Sequence, residues 1–244
     1  MLMSNIITLI TGAGSGIGLA IANKFYKENH TLVLLVKTLN QKKDLEKRYD
    51  KKSVKIYHGD LSKDLFLNQI SKKIGYVHNL INNAASRNDD HLFKVKKKDL
   101  DYLINLNFKS TFLMTQIFTK KMIKKKIKGS IINLSSQLGH VGAYNRTVYC
   151  SSKFAVEGFT KAAAMDLGKY GIRINTIAPT KTIVNEKELL FTKKRLAIIK
   201  NKIPSKKFTE KEDIAELCLF LTSSASKNIT GSSIKIDGGW TAGK

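Results

Sequence analysis

The sequence predicts an α/β protein whose core is a doubly wound parallel sheet of about seven strands with helices on both faces. Three observations lead there: seven short runs rich in leucine and β-branched residues, longer segments of helical periodicity between them, and a glycine cluster between the first run and the first helix. Most runs are nearly continuously apolar rather than alternating, as strands are when helices cover both faces of a sheet. Alternating strands and helices imply right-handed βαβ units, with the ligand crevice at the carboxyl ends of the strands.

Taken in order, the strands are expected at residues 6–10, 32–36, 54–57, 77–81, 130–134, 172–178 and 233–236. Helices are expected after Gly16 and over 40–49, 63–74, 97–123, 148–170 and 210–221. One stretch breaks the rhythm. Residues 179–207 are lysine-rich and hold no convincing strand, so a substrate-covering loop with short helices is expected around 180–207. With no internal repeat, no proline-rich linker and only Pro179 and Pro204 as prolines, residues 1–244 are expected to form a single domain.

A composition of 42% hydrophobic and 25% charged residues supplies a sizeable core and excludes a disordered chain. The net charge of +24 is the unusual figure, and such a charge can mark a nucleic-acid or membrane binder. Here the cations are 38 lysines and 5 arginines, whereas phosphate clamps and base readers favour the planar fork of arginine. The lysines gather at 94–98, 120–128 and 193–207, as on solvated helix faces, so neither nucleic acid nor membrane is expected as a partner. Cys150 and Cys218 give no disulfide framework and no metal-ligand spacing, which fits a reducing cytoplasm. Neither a signal peptide nor a membrane-spanning run is expected.

Directly after the first strand comes Thr11-Gly12-Ala13-Gly14-Ser15-Gly16-Ile17-Gly18, and a helix follows. Strand, glycine turn and helix form the context in which backbone amides and a helix N-terminus hold a pyrophosphate. Gly12, Gly14, Ser15, Gly16, Ile17 and Gly18 are therefore candidate contacts for a dinucleotide. The tip of the second strand reads Val36-Lys37-Thr38, with a cation where a carboxylate would bond the ribose hydroxyls of NAD. Lys37 thus favours a 2′-phosphate, and NADP over NAD. Asp60 and Leu61 after the third strand, and Asn83 and Ala84 after the fourth, are placed around the adenine end, unless their polar groups only cap turns.

After the fifth strand lie Ser135 and Ser136, and thirteen residues past Ser136 come Tyr149 and then Lys153. Tyrosine and lysine four apart share one face of a helix, so the ammonium can lie near the phenol and favour its ionised form. A tyrosine tuned in this way can protonate an alkoxide or deprotonate an alcohol, with Ser136 holding the carbonyl oxygen. Cys150 reads as packing and His140 as a loop hydrogen-bonder.

Together, Thr11 to Gly18 as TGxxxGxG, the NNA segment at Asn82 to Ala84, Ser136, and Tyr149 with Lys153 as YxxxK resemble the short-chain dehydrogenase/reductase family, in register from Ile6 to about Trp240. The resemblance implies a Rossmann-type, metal-free NAD(P)-dependent oxidoreductase with Ser136, Tyr149 and Lys153 as its catalytic set. It further implies that Asn107 supports a water-linked proton relay to the lysine and that Lys153 holds the nicotinamide ribose. Pro179 and the backbone of Thr182 or Ile183 would meet the nicotinamide end. A homo-oligomer, commonly a tetramer, built on 103–123, 148–170 and 229–240 is implied as well.

Two positions depart from the family: Thr180 stands where glycine is frequent after Pro179, and Ala85 replaces the glycine of the Asn-Ala-Gly segment. Arg87-Asn88-Asp89 is similar to 3-oxoacyl-thioester reductases, whose substrate can ride on an acidic carrier protein. Residues 139–142 and the Pro-Thr pair are similar to sugar and polyol dehydrogenases. Steroid or xenobiotic carbonyl reductases are a third similar group. A cofactor-binding or nucleic-acid-binding protein without turnover is the reading from another class.

Overall fold

The computed structural model describes residues 6–183 and 193–243. Seven strands, β1 (Ile7–Thr11), β2 (Thr31–Val36), β3 (Val54–His58), β4 (Asn79–Asn82), β5 (Ser130–Leu134), β6 (Arg173–Pro179) and β7 (Ser233–Ile236), form one sheet. Its order is β3-β2-β1-β4-β5-β6-β7, and every neighbouring pair is parallel. Between β1 and β4 the order reverses direction, and ligand crevices of doubly wound sheets open at that switch point.

Side chains alternate along each strand and feed two separate cores. Ile10, Leu32, Leu34, Ile81 and Ile132 pack with α1 (Gly16–Lys27), α2 (Leu39–Arg48) and a late helix, α8 (Lys211–Thr222). Leu9, Val33, Leu35, Leu80 and Ile131 pack on the other side with α3 (Asp64–Lys73), α5 (Ser110–Lys124) and α6 (Thr147–Leu167). Both faces are dry, which explains strands without polar alternation. Two more helices, α4 (Lys97–Ile104) and α7 (Lys193–Lys202), lie near the carboxyl end of the sheet and in the late connection.

The expected strands are present with bounds displaced by a residue or two. The expected helix over 97–123 is two helices, α4 and α5, joined by a π-helical turn at Asn105–Lys109. There the Ser110 hydroxyl donates to the Leu106 carbonyl (2.5 Å) and the Thr111 hydroxyl to that of Asn107 (3.0 Å). Such turns cluster at functional positions. In the expected loop of 180–207 the described residues include helix α7 and a bridge between Thr182 and Thr209. Residues 184–192 of that loop lie outside the described residues. Among the described residues no helix is long and apolar enough to cross a membrane.

Candidate active site

At the end of β1 the backbone turns through positive φ at Gly12 (66°) and Gly16 (56°). A Cβ on Gly18 would lie 2.2 Å from the Gly12 carbonyl oxygen and 2.5 Å from Asn83 Nδ2, so only glycine lets α1 come this close to the turn. Asn83 Nδ2 donates to the carbonyls of Thr11 (3.0 Å) and Gly12 (3.1 Å), and the amides of Asn83 and Ala84 donate to Thr11 Oγ1 (2.9 and 3.0 Å). These bonds fasten the tips of β1 and β4 together at the switch point.

Ser15 precedes α1 without a side-chain cap, and the first turn holds no acidic residue, so the leading amides face an opening suited to an anion. A cavity of about 350 Å³ begins there and is bordered by Gly12, Gly14, Ser15, Ile17 and Gly18. Its far wall includes Lys37, Asp60, Leu61, Asn83 and Ala84, so all these expected contacts meet one cavity, while Gly16 shapes the turn. The cradle and the open helix end fit a dinucleotide pyrophosphate.

Lys37 reaches across this cavity, donating to the Tyr102 hydroxyl at 2.9 Å with its ammonium 5.2 Å from the ring centre. That bond is the main reason its pKa lies above the ordinary lysine value. Gln41 Oε1 accepts from the amides of Lys37 (3.1 Å) and Thr38 (3.2 Å), while Asp60 Oδ1 accepts from the Ser62 amide (2.9 Å). Asp60 therefore both lines the cavity and caps its turn.

A second cavity, of about 940 Å³, shares Ile17, Asn83 and Ala85 with the first and carries Ser136, Tyr149, Lys153, Pro179 and Thr182 in its wall. Ser136 and Tyr149 share this wall, the serine side chain is near enough to lower the proton affinity of the phenol, and Ser136 Oγ accepts from the Leu138 amide (3.1 Å). Lys153 Nζ lies 5.7 Å from the centre of the Tyr149 ring and donates to the Leu134 carbonyl at 2.6 Å. Ser135 Oγ, Gln137 Oε1 and Thr180 Oγ1 are buried along this wall without a hydrogen-bond partner among the described residues. Buried polar atoms left open at a cavity wall are what a bound polar ligand satisfies.

One expectation is corrected. Burial is the largest influence on Tyr149 and raises its pKa, outweighing the Ser136 side chain and the nearby charges of Arg87 and Arg146, which lower it. Lys153 is itself buried, and desolvation pushes it down to about 8, opposed by the charge of Glu157. The spacing of four was visible in the sequence; the dryness of the wall was not.

Asn107 is buried in the π-helical turn, where its side chain bonds both backbone groups of Ser86 (2.9 Å each) and donates to Ser152 Oγ (3.0 Å). Ser152 in turn donates to the Tyr149 carbonyl (2.7 Å), so Asn107 meets α6 through Ser152. The reading from sequence missed Ser86, Ser152, Tyr102, Gln41 and Glu157. Of these only Glu157 carried a signal, standing four residues past Lys153 on the same helix face. Its Oε2 accepts from Thr176 Oγ1 (2.7 Å), and His140 Nε2 lies 3.2 Å from Oε1 and 3.0 Å from Ser233 Oγ. Cys150 Sγ contacts the Val141 carbonyl at 3.9 Å, and burial raises its thiol pKa, in keeping with packing.

An anion cradle beside a pocket lined by a serine, a tyrosine and a lysine is what hydride exchange with a carbonyl demands, and the protein is an NAD(P)-dependent oxidoreductase acting on CH–OH groups. A family model described as enoyl-(acyl carrier protein) reductase matches residues 12–241. The chain is 35% identical to a 3-oxoacyl-[acyl-carrier-protein] reductase of Thermotoga maritima and 33% to L-xylulose reductase of Mus musculus, covering 96% of both chains in each pair. Among solved structures, 4-hydroxyisoleucine dehydrogenase complexed with NADH matches with a TM-score of 0.91 at 31% identity, over 98% of this chain and 100% of the other; further similar structures hold NADP or NADPH. The chain belongs to the short-chain dehydrogenase/reductase family.

Proposed function

We propose that this protein reduces a 3-oxoacyl thioester to the 3-hydroxy product at the cavity bordered by Ser136, Tyr149 and Lys153, with NADPH as hydride donor. The observation that carries the reading is that Ser136, Tyr149 and Lys153 line one cavity, which shares Ile17, Asn83 and Ala85 with the cavity at the glycine cradle. NADPH, when bound, would supply the hydride. Ser136 holds the carbonyl oxygen, and Tyr149 gives that oxygen its proton, a task for which a raised pKa keeps the phenol protonated near neutral pH. Lys153 would hold the nicotinamide ribose, while Asn107 fixes the start of α6 through Ser152. Gly12, Gly14, Ser15, Gly16, Ile17 and Gly18 would hold the pyrophosphate; Asp60, Leu61, Asn83 and Ala84 would border the adenosine; Pro179 and Thr182 would meet the carboxamide.

Lys37 at the tip of β2 supports NADPH over NADH, since its ammonium lies where a 2′-phosphate needs a cation. The thioester reading draws on the Thermotoga maritima relative and on the loop at Arg87, Asn88 and Asp89, and an acidic carrier protein suits a chain of charge +24. The likeness to L-xylulose reductase supports a second reading, reduction of a sugar ketone. Residues 1–244 act as one domain, and Phe112, Phe154 and Met165, exposed on α5 and α6, form the surface of a homotetramer. The two free cysteines suit the cytoplasm. The test is cofactor oxidation against acetoacetyl-coenzyme A and L-xylulose, with NADPH and NADH in parallel. Turnover of the thioester with NADPH is expected; turnover of the sugar alone selects the second reading, and silence on both removes the first.

A further inference from the structure

We infer that the substrate carries an anionic oxygen group, a carboxylate or a phosphate, and that Arg87 receives it at the mouth of the cavity. The inference rests on reading this cavity as the reductase's substrate site. Its described lining holds Arg87, Arg146, Lys181 and Lys202 besides Lys153, and no aspartate or glutamate. Lysines say little in a chain with 38 of them, but arginines are scarce: two of only five border this one cavity.

The arginines elsewhere and here divide by what they bond. Arg173 spends its guanidinium on the carbonyls of Leu221 (2.7 Å), Ser223 (3.2 Å) and Ile229 (3.3 Å). Arg146 is likewise occupied, pairing with Asp89 (2.6 Å) and donating to the carbonyls of Asn88 (3.2 Å) and Asn145 (3.0 Å). Those bonds pin the loop that follows β4 to the start of α6. Asp90, the other carboxylate of the loop, accepts from Asn88 (3.3 Å). Arg87, exposed in the same pinned loop, has no ion-pair partner among the described residues, yet its charge reaches the Tyr149 phenol. A planar fork held at a cavity mouth within electrostatic range of the proton donor matches the geometry of a carboxylate or phosphate. A neutral ketone would cover that charge and return nothing for it.

Two sources supply such a group: the carboxylate of a short oxo acid, or the phosphates of a pantetheine arm. Two matched pairs separate them, namely acetoacetate against methyl acetoacetate, and acetoacetyl-coenzyme A against acetoacetyl-N-acetylcysteamine. In wild type the anionic member of one pair is expected to have the lower KM. Arg87→Gln should narrow that KM ratio by about tenfold, the scale of one charge-assisted contact, and Arg87→Lys should restore part of it. The responding pair identifies the source, and an unchanged ratio in both pairs overturns the inference. If no carbonyl is turned over by wild type, the reductase reading fails, and malonate binding to the NADP-loaded protein decides the anion site alone. Calorimetric binding by wild type that Arg87→Gln abolishes would uphold the site, and no binding by wild type would overturn it.

Discussion

Lys153 donates its ammonium proton to the Leu134 carbonyl at 2.6 Å, so the end of β5 and not the Tyr149 oxygen anchors the cation. The lysine is buried, and desolvation leaves it with a pKa of about 8 against an ordinary value of 10.5. Below pH 8 both the folded and the unfolded chain carry the proton, and the cost of burying the charge is fully present. Between about 8 and 10.5 the folded lysine has lost its proton while the unfolded one keeps it, so this group's contribution to stability rises with pH, by roughly 3 kcal/mol in all. Lys153→Met should therefore stabilise the fold at neutral pH and lose that advantage as pH rises past 8. Urea unfolding at the two pH extremes checks this, and a difference independent of pH would contradict it.

Glu157 is the group that holds the Lys153 pKa up, from four residues along α6. Facing Glu157 are His140 at 3.2 Å and the Thr176 hydroxyl at 2.7 Å, with Ser233 behind the histidine. Glu157→Gln should lower the Lys153 pKa further and shift the alkaline limb of the reduction rate toward lower pH. A folded variant whose pH profile does not move would show that the carboxylate serves structure alone.

Cofactor choice is expected to turn on Lys37. Lys37→Asp removes the bond to Tyr102 and places a carboxylate where a 2′-phosphate would sit, so the ratio of NADPH to NADH efficiency should fall by about tenfold or more. An unchanged ratio would reduce Lys37 to a partner of Tyr102.

Gly18→Ala would place a methyl group 2.2 Å from the Gly12 carbonyl oxygen, and the loop must shift to admit it. Cofactor affinity should drop by at least tenfold, with a stability loss of about 1–3 kcal/mol. Gly158→Ala on α6, where a Cβ meets nothing within 4 Å, is the control and should be neutral or stabilising. Equal effects in fluorescence titrations with NADPH would remove the special role of the cradle.

Much of this was legible in the residues themselves. Apolar runs located all seven strands because both faces of the sheet are covered, and the glycine spacing located the cradle because nothing larger fits beside Gly12. Tyr149 and Lys153 share a helix face, as their spacing demands, yet their proton affinities depend on burial by strands distant in sequence, which periodicity does not report. The π-helical turn that aims Asn107 at Ser86 left no trace in the apolar pattern, because one widened turn barely alters it. Glu157 escaped notice because its partners, His140 and Thr176, come from separate segments.

The central claim, carbonyl reduction with Tyr149 as proton donor, is tested most directly by single-turnover oxidation of NADPH with acetoacetyl-coenzyme A in wild type and Tyr149→Phe. Wild type should oxidise the cofactor, while the variant should bind NADPH equally well and lose at least about a hundredfold in rate, the scale of one general acid. A Tyr149→Phe protein that turns over at the wild-type rate would contradict the mechanism.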